Sequence, residues 1–309
     1  MLFRFPSLAA PESEPRHAPA LPGDLMRKVR RIEIATKRLV DQGVAGDYHS
    51  VFRGRGVEFT EVRPYQAGDE IRTIDWNVTA RMGHPYVKQY VEERDLTVFL
   101  IVDVSGSLSF GSGSILKREL AAEVAALLAF AALRNQDRVG AALVSDRVEL
   151  WLAPQQRRNH VLRLVREILG RPAHGGTDLD ATIPAILRNL KRRSVVFVVS
   201  DFLDTPYSVA LKAAAGRHDV IAVEIVDPRE SALPEVGPTL LRDAETGALA
   251  LVSGRKLGAE HRARRRHQRS ELLRLTRRLG IDHLELRTDR PYLAPLVAFF
   301  ERRRRRLNR

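Results

Sequence analysis

Four segments of this chain carry almost no polar face. Leu96 to Val102, Val139 to Val144, Val195 to Val199 and Val220 to Val226 are nearly continuous runs of Val, Ile, Leu, Phe and Ala. A strand that is apolar on both faces has to be covered on both sides, which points to a parallel sheet held between helices. Helical stretches separate or follow these runs: Leu116 to Arg134, Asn159 to Leu169, Leu179 to Leu190 and Ser208 to Ala215. The strand-helix alternation predicts an α/β fold with a doubly wound, mostly parallel sheet. Val148 to Leu152 follows Ser145-Asp146-Arg147 too closely for a crossover helix, so it is expected to run antiparallel at a sheet edge. His283 to Leu286 suits a last strand and Pro291 to Arg306 a final helix.

Upstream the texture differs. Residues 1–22 hold Pro6, Pro11, Pro15, Pro19 and Pro22 among scattered charges and read as a disordered leader. Asp24 suits the cap of a helix that places Leu25, Val29, Ile32 and Leu39 on one face. Val57 to Val62 and Tyr86 to Val91 alternate as half-buried antiparallel strands do, with turn signals at Gly68-Asp69 and Gly83. The expected organisation is a leader over 1–22, a helix and small β-rich N-terminal subdomain over 23–95, the α/β domain over 96–300, and a basic tail over 301–309. Trp76 and Asn77 suit docking of the subdomain onto the sheet. Arg53, Arg55, Arg63, Arg72 and Arg81 are expected to pair with Glu58, Glu61, Asp69, Glu70 and Asp75.

Cysteine is absent, which excludes disulfides, thiolate metal sites and cysteine nucleophiles. The longest apolar stretch, Leu120 to Leu133, contains Glu123 and falls short of the ~20 residues that a membrane span needs. The first ten residues, interrupted by Arg4 and Pro6, make a poor secretory signal, so a cytoplasmic location is expected. The net charge of +13 is concentrated at one end: Arg255 to Arg309 holds 18 Lys/Arg against 6 Asp/Glu, and the rest of the chain is nearly neutral. Such a segment suits either a solvated helix face or contact with nucleic acid or another anionic surface.

The first apolar run ends in Asp103-Val104-Ser105-Gly106-Ser107, just ahead of an Ala/Leu-rich helical stretch. Gly175-Gly176-Thr177-Asp178 offers a hydroxyl on a glycine-rich loop, and Ser200-Asp201 a carboxylate directly after the third run. Ligands of open α/β sheets bind beyond the carboxyl ends of the strands, where these three loops are expected to meet. Asp103, Ser105, Ser107, Thr177 and Asp201 are therefore candidate ligands of a hard divalent cation, Mg²⁺ first and Mn²⁺ or Ca²⁺ as alternatives. Such ions take oxygen donors, with neither imidazole nor thiolate needed. The hydroxyls would bind directly or through water, and the two carboxylates would sit close and hold ordered waters. Each residue also has a plainer reading. Ser105 and Ser107 suit helix caps, Thr177 with Asp180 suits a capping box, and Asp201 suits a turn ahead of Thr205-Pro206.

Enzyme signatures are missing. Gly54-Arg55-Gly56 lacks the third glycine of a dinucleotide site, Gly106 to Gly113 has no Gly-Lys-Ser/Thr, and no Gly-x-Ser-x-Gly elbow occurs. The nine histidines are scattered, and His261 and His267 fall in an Arg-rich helix where they are expected to face solvent. A non-enzymatic protein is the expectation.

Asp103-x-Ser105-x-Ser107 with Thr177 and Asp201 is similar to the metal-ion-dependent adhesion site of von Willebrand factor A domains. The flanking residues narrow the resemblance: Phe52 to Gly56, Arg63 to Asp69, Ile74 to Asn77, Glu93-Arg94-Asp95, His218 to Ala222 and Asp282 to Leu286 resemble the bacterial "domain of unknown function 58" family. The likeness spans roughly Leu25 to Arg302. It implies an A-type sheet, a Mg²⁺ site on the five residues above, an Asp or Glu from a protein partner as outside ligand, and pairing with a MoxR-type AAA+ ATPase.

Overall fold

The computed structural model describes residues 22–52, 57–92, 96–172, 175–203, 206–231, 238–242 and 249–307. Residues 1–21 of the leader expected over 1–22, Arg53 to Gly56, Glu93-Arg94-Asp95, and Asp204-Thr205 lie outside the described residues. The chain opens with helix α1 (Pro22–Leu39), a π-helical turn (Val40–Val44) and α2 (Ala45–Val51). Strand β1 (Val57–Pro64) then pairs antiparallel with β2 (Tyr86–Glu92), with the short helix α3 (Trp76–Met82) between them. Asp75 caps α3 by accepting from the Asn77 and Val78 amides at 2.9 and 3.2 Å. Of the expected pairs here, Arg63 grips Asp69 through its two terminal guanidinium nitrogens at 2.7 and 2.8 Å. Trp76 does not dock. It is 66% exposed, since helix α3 presents it outward rather than to the sheet.

The main body follows as β3 (Thr97–Asp103), α4 (Lys117–Arg134), β4 (Arg138–Val144), β5 (Val148–Gln155), α5 (Arg158–Gly170), α6 (Leu179–Leu187), β6 (Val195–Ser200), α7 (Ser208–Ala215) and β7 (Asp219–Val226). After it come the short α8 (Pro228–Ser231), an antiparallel hairpin of β8 (Pro238–Arg242) and β9 (Leu249–Ser253), the long α9 (Gly254–Leu279), β10 (Asp282–Arg287) and α10 (Leu293–Leu307). Six strands form one sheet in the order β10-β7-β6-β3-β4-β5, all parallel except β5, which runs antiparallel at the edge. This is the doubly wound, mostly parallel α/β sheet with one antiparallel edge strand that the apolar runs predicted. The β8-β9 hairpin, whose second strand carries the short apolar run Leu249 to Val252, was not anticipated.

The pleat divides the core in two. Val98, Leu100 and Val102 of β3 point to one face and pack with α1, α2, α4, α5 and α10. Phe99 and Ile101 point to the other and pack with α6, α7 and α9. Helix α4 is built almost wholly of Ala, Leu and Val between Leu120 and Ala132 and is buried on nearly all sides, as a helix apolar around its circumference must be. It is tied to the residue preceding α10 by Glu123, whose carboxylate accepts from the Tyr292 hydroxyl. Tyr48 of α2 is fully buried and donates to Asp137 at 2.9 Å, locking the N-terminal helices to the start of β4. The chain order of the sheet reverses between β3 and β6, so the carboxyl ends of these two strands flank the switch point where ligands of such sheets bind.

Candidate functional site

Sheet register sets the site. Val102 of β3 lies beside Val199 of β6, so Asp103 and Ser200 emerge next to each other at the strand ends. The Asp103 carboxylate is the hub. It accepts from the Ser105 amide at 2.9 Å, from the Ser200 hydroxyl at 2.7 Å and from the Thr177 hydroxyl at 3.3 Å. Ser105 and Ser107 place their hydroxyl oxygens 3.1 Å apart. Asp201 follows Ser200 directly, and its negative charge acts on Asp103. Four of the five residues singled out in the sequence thus share one connected hydrogen-bond cluster, with Asp201 at its border.

The plainer readings divide. Ser105 stands at the cap position of a 3-10 turn (Gly106–Ser109) yet makes no capping hydrogen bond with its side chain. Thr177 does not cap α6 either: Asp178 does, accepting from the Ala181 amide at 2.9 Å. Asp180 instead accepts from the Ala210 amide of α7 at 2.7 Å. Asp201 does serve a turn, since its Oδ1 accepts from the Leu203 amide at 3.1 Å. That turn leads into Phe202, which adopts a left-handed φ of 51°. A bulky residue rarely occupies this region, and the roughly 1–3 kcal/mol it costs is concentrated where strain gathers at ligand sites. Phe202 is held there by an edge-on contact with Tyr207, ring centroids 5.7 Å apart.

Electrostatically the site favours a cation. Asp103 is only 1% exposed, and burial followed by the charge of Asp201 pushes its carboxyl up to about 6. A positive ion placed among these groups would relieve both causes. The donors are hydroxyls and carboxylates, which suits a hard ion and not zinc. Ser105, Ser107 and Thr177 would supply hydroxyl oxygens, and Asp103 and Asp201 carboxylate charge. No group of three or more His, Cys, Asp or Glu gathers as a metal cage among the described residues. A site of two carboxylates and three hydroxyls does not need one.

Two cations stand around this cluster that were not anticipated. Lys117, in the first turn of α4, is fully buried and places Nζ 2.6 Å from Asp201 Oδ2 while also bonding Glu230 of α8. Burial opposes its charge, but the two carboxylates outweigh that and raise its pKa. Arg118 donates to the Val104 carbonyl at 3.1 Å and the Arg171 carbonyl at 2.6 Å, bolting the β3 loop to the segment that leads to Thr177. A sequence signal for Lys117 existed. A lysine in the first turn of an apolar helix opposes the helix dipole and so calls for a nearby carboxylate. Glu230 carried no such signal, and Ser200 was visible only as the neighbour of Asp201.

The positively charged end is partly committed to structure. Arg303 is buried between Asp219 and Asp282 and lies over the Phe52 ring at 4.8 Å, and Arg306 pairs with Asp282 at 2.6 Å. His267 is exposed, whereas His261 is half-buried with Nε2 2.5 Å from the Glu230 carbonyl oxygen. No helix among the described residues is long and apolar enough to cross a membrane.

The class of protein is thus a doubly wound α/β domain with a hydroxyl-and-carboxylate cluster at the switch point of its sheet. The chain belongs to the family described as protein of unknown function DUF58, whose model matches residues 61–271. It is similar to two uncharacterized proteins, Rv1480 of Mycobacterium tuberculosis and Mb1516 of Mycobacterium bovis. Each is 36% identical over 294 residues, covering 91% of this chain and 90% of the relative. Among solved structures it is similar to the conserved hypothetical protein BatB from Bacteroides thetaiotaomicron, at 15% identity and a TM-score of 0.44 over 68% of this chain and 99% of that one. It is also similar to the VWA domain of SpRpn10, at 11% identity and a TM-score of 0.36 over 65% of this chain and 93% of that one.

Proposed function

We propose that this chain is a divalent-metal-dependent protein-binding module, not an enzyme, that works with a MoxR-type AAA+ ATPase in the assembly or maturation of protein complexes. The observation that carries the proposal is the oxygen cluster around Asp103, built from the hydroxyls of Ser105, Ser107, Thr177 and Ser200 and a buried carboxylate beside a second one. When bound there, Mg²⁺ would act as a Lewis acid with a coordination position open to an outside oxygen. Ser105, Ser107 and Thr177 lend it no charge, so an Asp or Glu exposed on a partner would be a favoured outside ligand. The surrounding loops are fixed by backbone bonds, Gly106 to the Gly175 carbonyl at 3.2 Å and Asp178 to the Ser145 carbonyl at 3.0 Å. Ile71, Trp76 and Met82 add exposed apolar area of the kind that interaction surfaces use. The ATPase as partner class is carried over from the resemblance of the sequence motifs and is part of the proposal.

The test is capture of the co-expressed ATPase by the tagged chain, with and without EDTA, and with Asp103→Ala and Asp201→Ala. Capture should fall at least tenfold in all three cases and return when Mg²⁺ is restored to the wild type. Equal capture throughout would remove the proposal.

A further inference from the structure

The described residues hold one lysine whose side chain is completely buried, and it sits against the candidate metal site. Lys117 Nζ lies 2.6 Å from Asp201 Oδ2 and is also bonded to Glu230, and its side chain is 0% exposed. A buried ammonium is costly unless paired, and here two carboxylates from different elements pair it. Asp201 in turn has both oxygens engaged, Oδ2 by Lys117 and Oδ1 by the Leu203 amide. Its carboxylate is therefore neutralised from the side facing α4 and held in one orientation.

We infer that Lys117 is a resident cation of this site, which sets its affinity for the divalent ion, with Glu230 moderating the charge of Lys117. The inference rests on the metal reading and deepens it. A fixed positive charge touching one of the two site carboxylates opposes a second cation entering beside the same group. The ion is then held weakly by the chain alone and more firmly once a partner carboxylate adds its charge. Coupling of this kind is reciprocal: the partner strengthens the metal as much as the metal strengthens the partner. Glu230 enters from α8, whose first turn is fixed by Asp227, and its carbonyl oxygen lies against His261 of α9. The charge balance of the site thus depends on an element beyond the three metal-facing loops.

The experiment is calorimetric titration of Mn²⁺ and of Mg²⁺ into the full chain, freed of metal by chelation, for the wild type, Lys117→Gln and Glu230→Gln, with melting temperature measured in parallel. Lys117→Gln should melt lower without metal, bind Mn²⁺ at least tenfold tighter than the wild type, and gain more melting temperature from it. Glu230→Gln should bind at least threefold weaker, because the charge of Lys117 then falls undivided on Asp201. A merely structural role for Lys117 would weaken binding in both variants. Wild-type binding with equal or weaker binding by Lys117→Gln overturns the inference and leaves the metal reading intact. Absence of binding by all three proteins at millimolar ion overturns both. Should Lys117→Gln fail to fold, Glu230→Gln decides: equal or tighter binding overturns the inference.

Discussion

Asp227 shows how single side chains hold this site in place. It is fully buried at the end of β7 and accepts from the Ser112 amide at 2.9 Å, the Ser112 hydroxyl at 2.6 Å and the Thr288 hydroxyl at 2.7 Å. It therefore ties the loop after Asp103 to the end of β10. Burial alone would raise its pKa, but the bonds from Ser112, Thr288 and Arg229 outweigh that and lower it below the usual 3.8. A carboxyl depressed in the folded state contributes stability above its unfolded pKa and loses it as pH falls. Asp227 should thus add to acid unfolding below about pH 4, and Asp227→Asn should flatten that limb of the stability-pH curve in urea titrations. A limb of unchanged steepness would show that the bonds to Ser112 and Thr288 do not form in solution.

At the scale of elements, close approach between strands and loops decides where substitutions hurt. Gly140 in β4 is a strand glycine with a packing reason. A Cβ there would come within 2.7 Å of the Phe99 ring and 2.9 Å of Pro154. Phe99 is itself stacked on Trp151 of the edge strand, ring centroids 4.8 Å apart. Gly140→Ala is expected to cost about 1–3 kcal/mol through overpacking, measured by urea unfolding. A neutral result would mean that the edge strand yields easily. Gly111 is similarly confined: a methyl group on its Cα would meet the Ile115 carbonyl oxygen at 2.8 Å, so the loop that carries Ser112 to Asp227 needs a glycine to close.

For the whole molecule, the basic C-terminal segment divides into structural and free charge. Arg303 is buried and joins α10 to the starts of β7 and β10, at the opposite end of the strands from Asp103, while Arg302, Arg304 and Arg305 are exposed. Truncation after Phe300 would remove both kinds together and so would not isolate anion binding. Arg303→Ala leaves Asp219 and Asp282 without their shared partner and should cost about 3 kcal/mol, or roughly 5 °C or more of melting temperature. Substituting Arg302, Arg304 and Arg305 by Gln should leave the melting temperature within about 1 °C, as changes at exposed positions usually do. If duplex DNA binding exists and fades in that triple variant with a shallower salt slope, the exposed arginines contact phosphate. A melting temperature lowered as much by the triple variant as by Arg303→Ala would refute the division.

The order of apolar runs and helical stretches was enough to define a doubly wound α/β sheet, its antiparallel edge strand, and the three loops that bear Asp103, Thr177 and Asp201. Each of those features is local: residues a few positions apart decide whether a segment has one apolar face or two, and whether its end carries an oxygen donor. The β8-β9 hairpin, the outward face of Trp76, and the junction of Lys117 with Asp201 and Glu230 were decided only by tertiary structure. Lys117 and Glu230 stand 113 positions apart in the chain, and no periodicity links a cation to a carboxylate at that separation. Their meeting depends on β3, β6 and β7 lying side by side, which long-range strand pairing alone brings about.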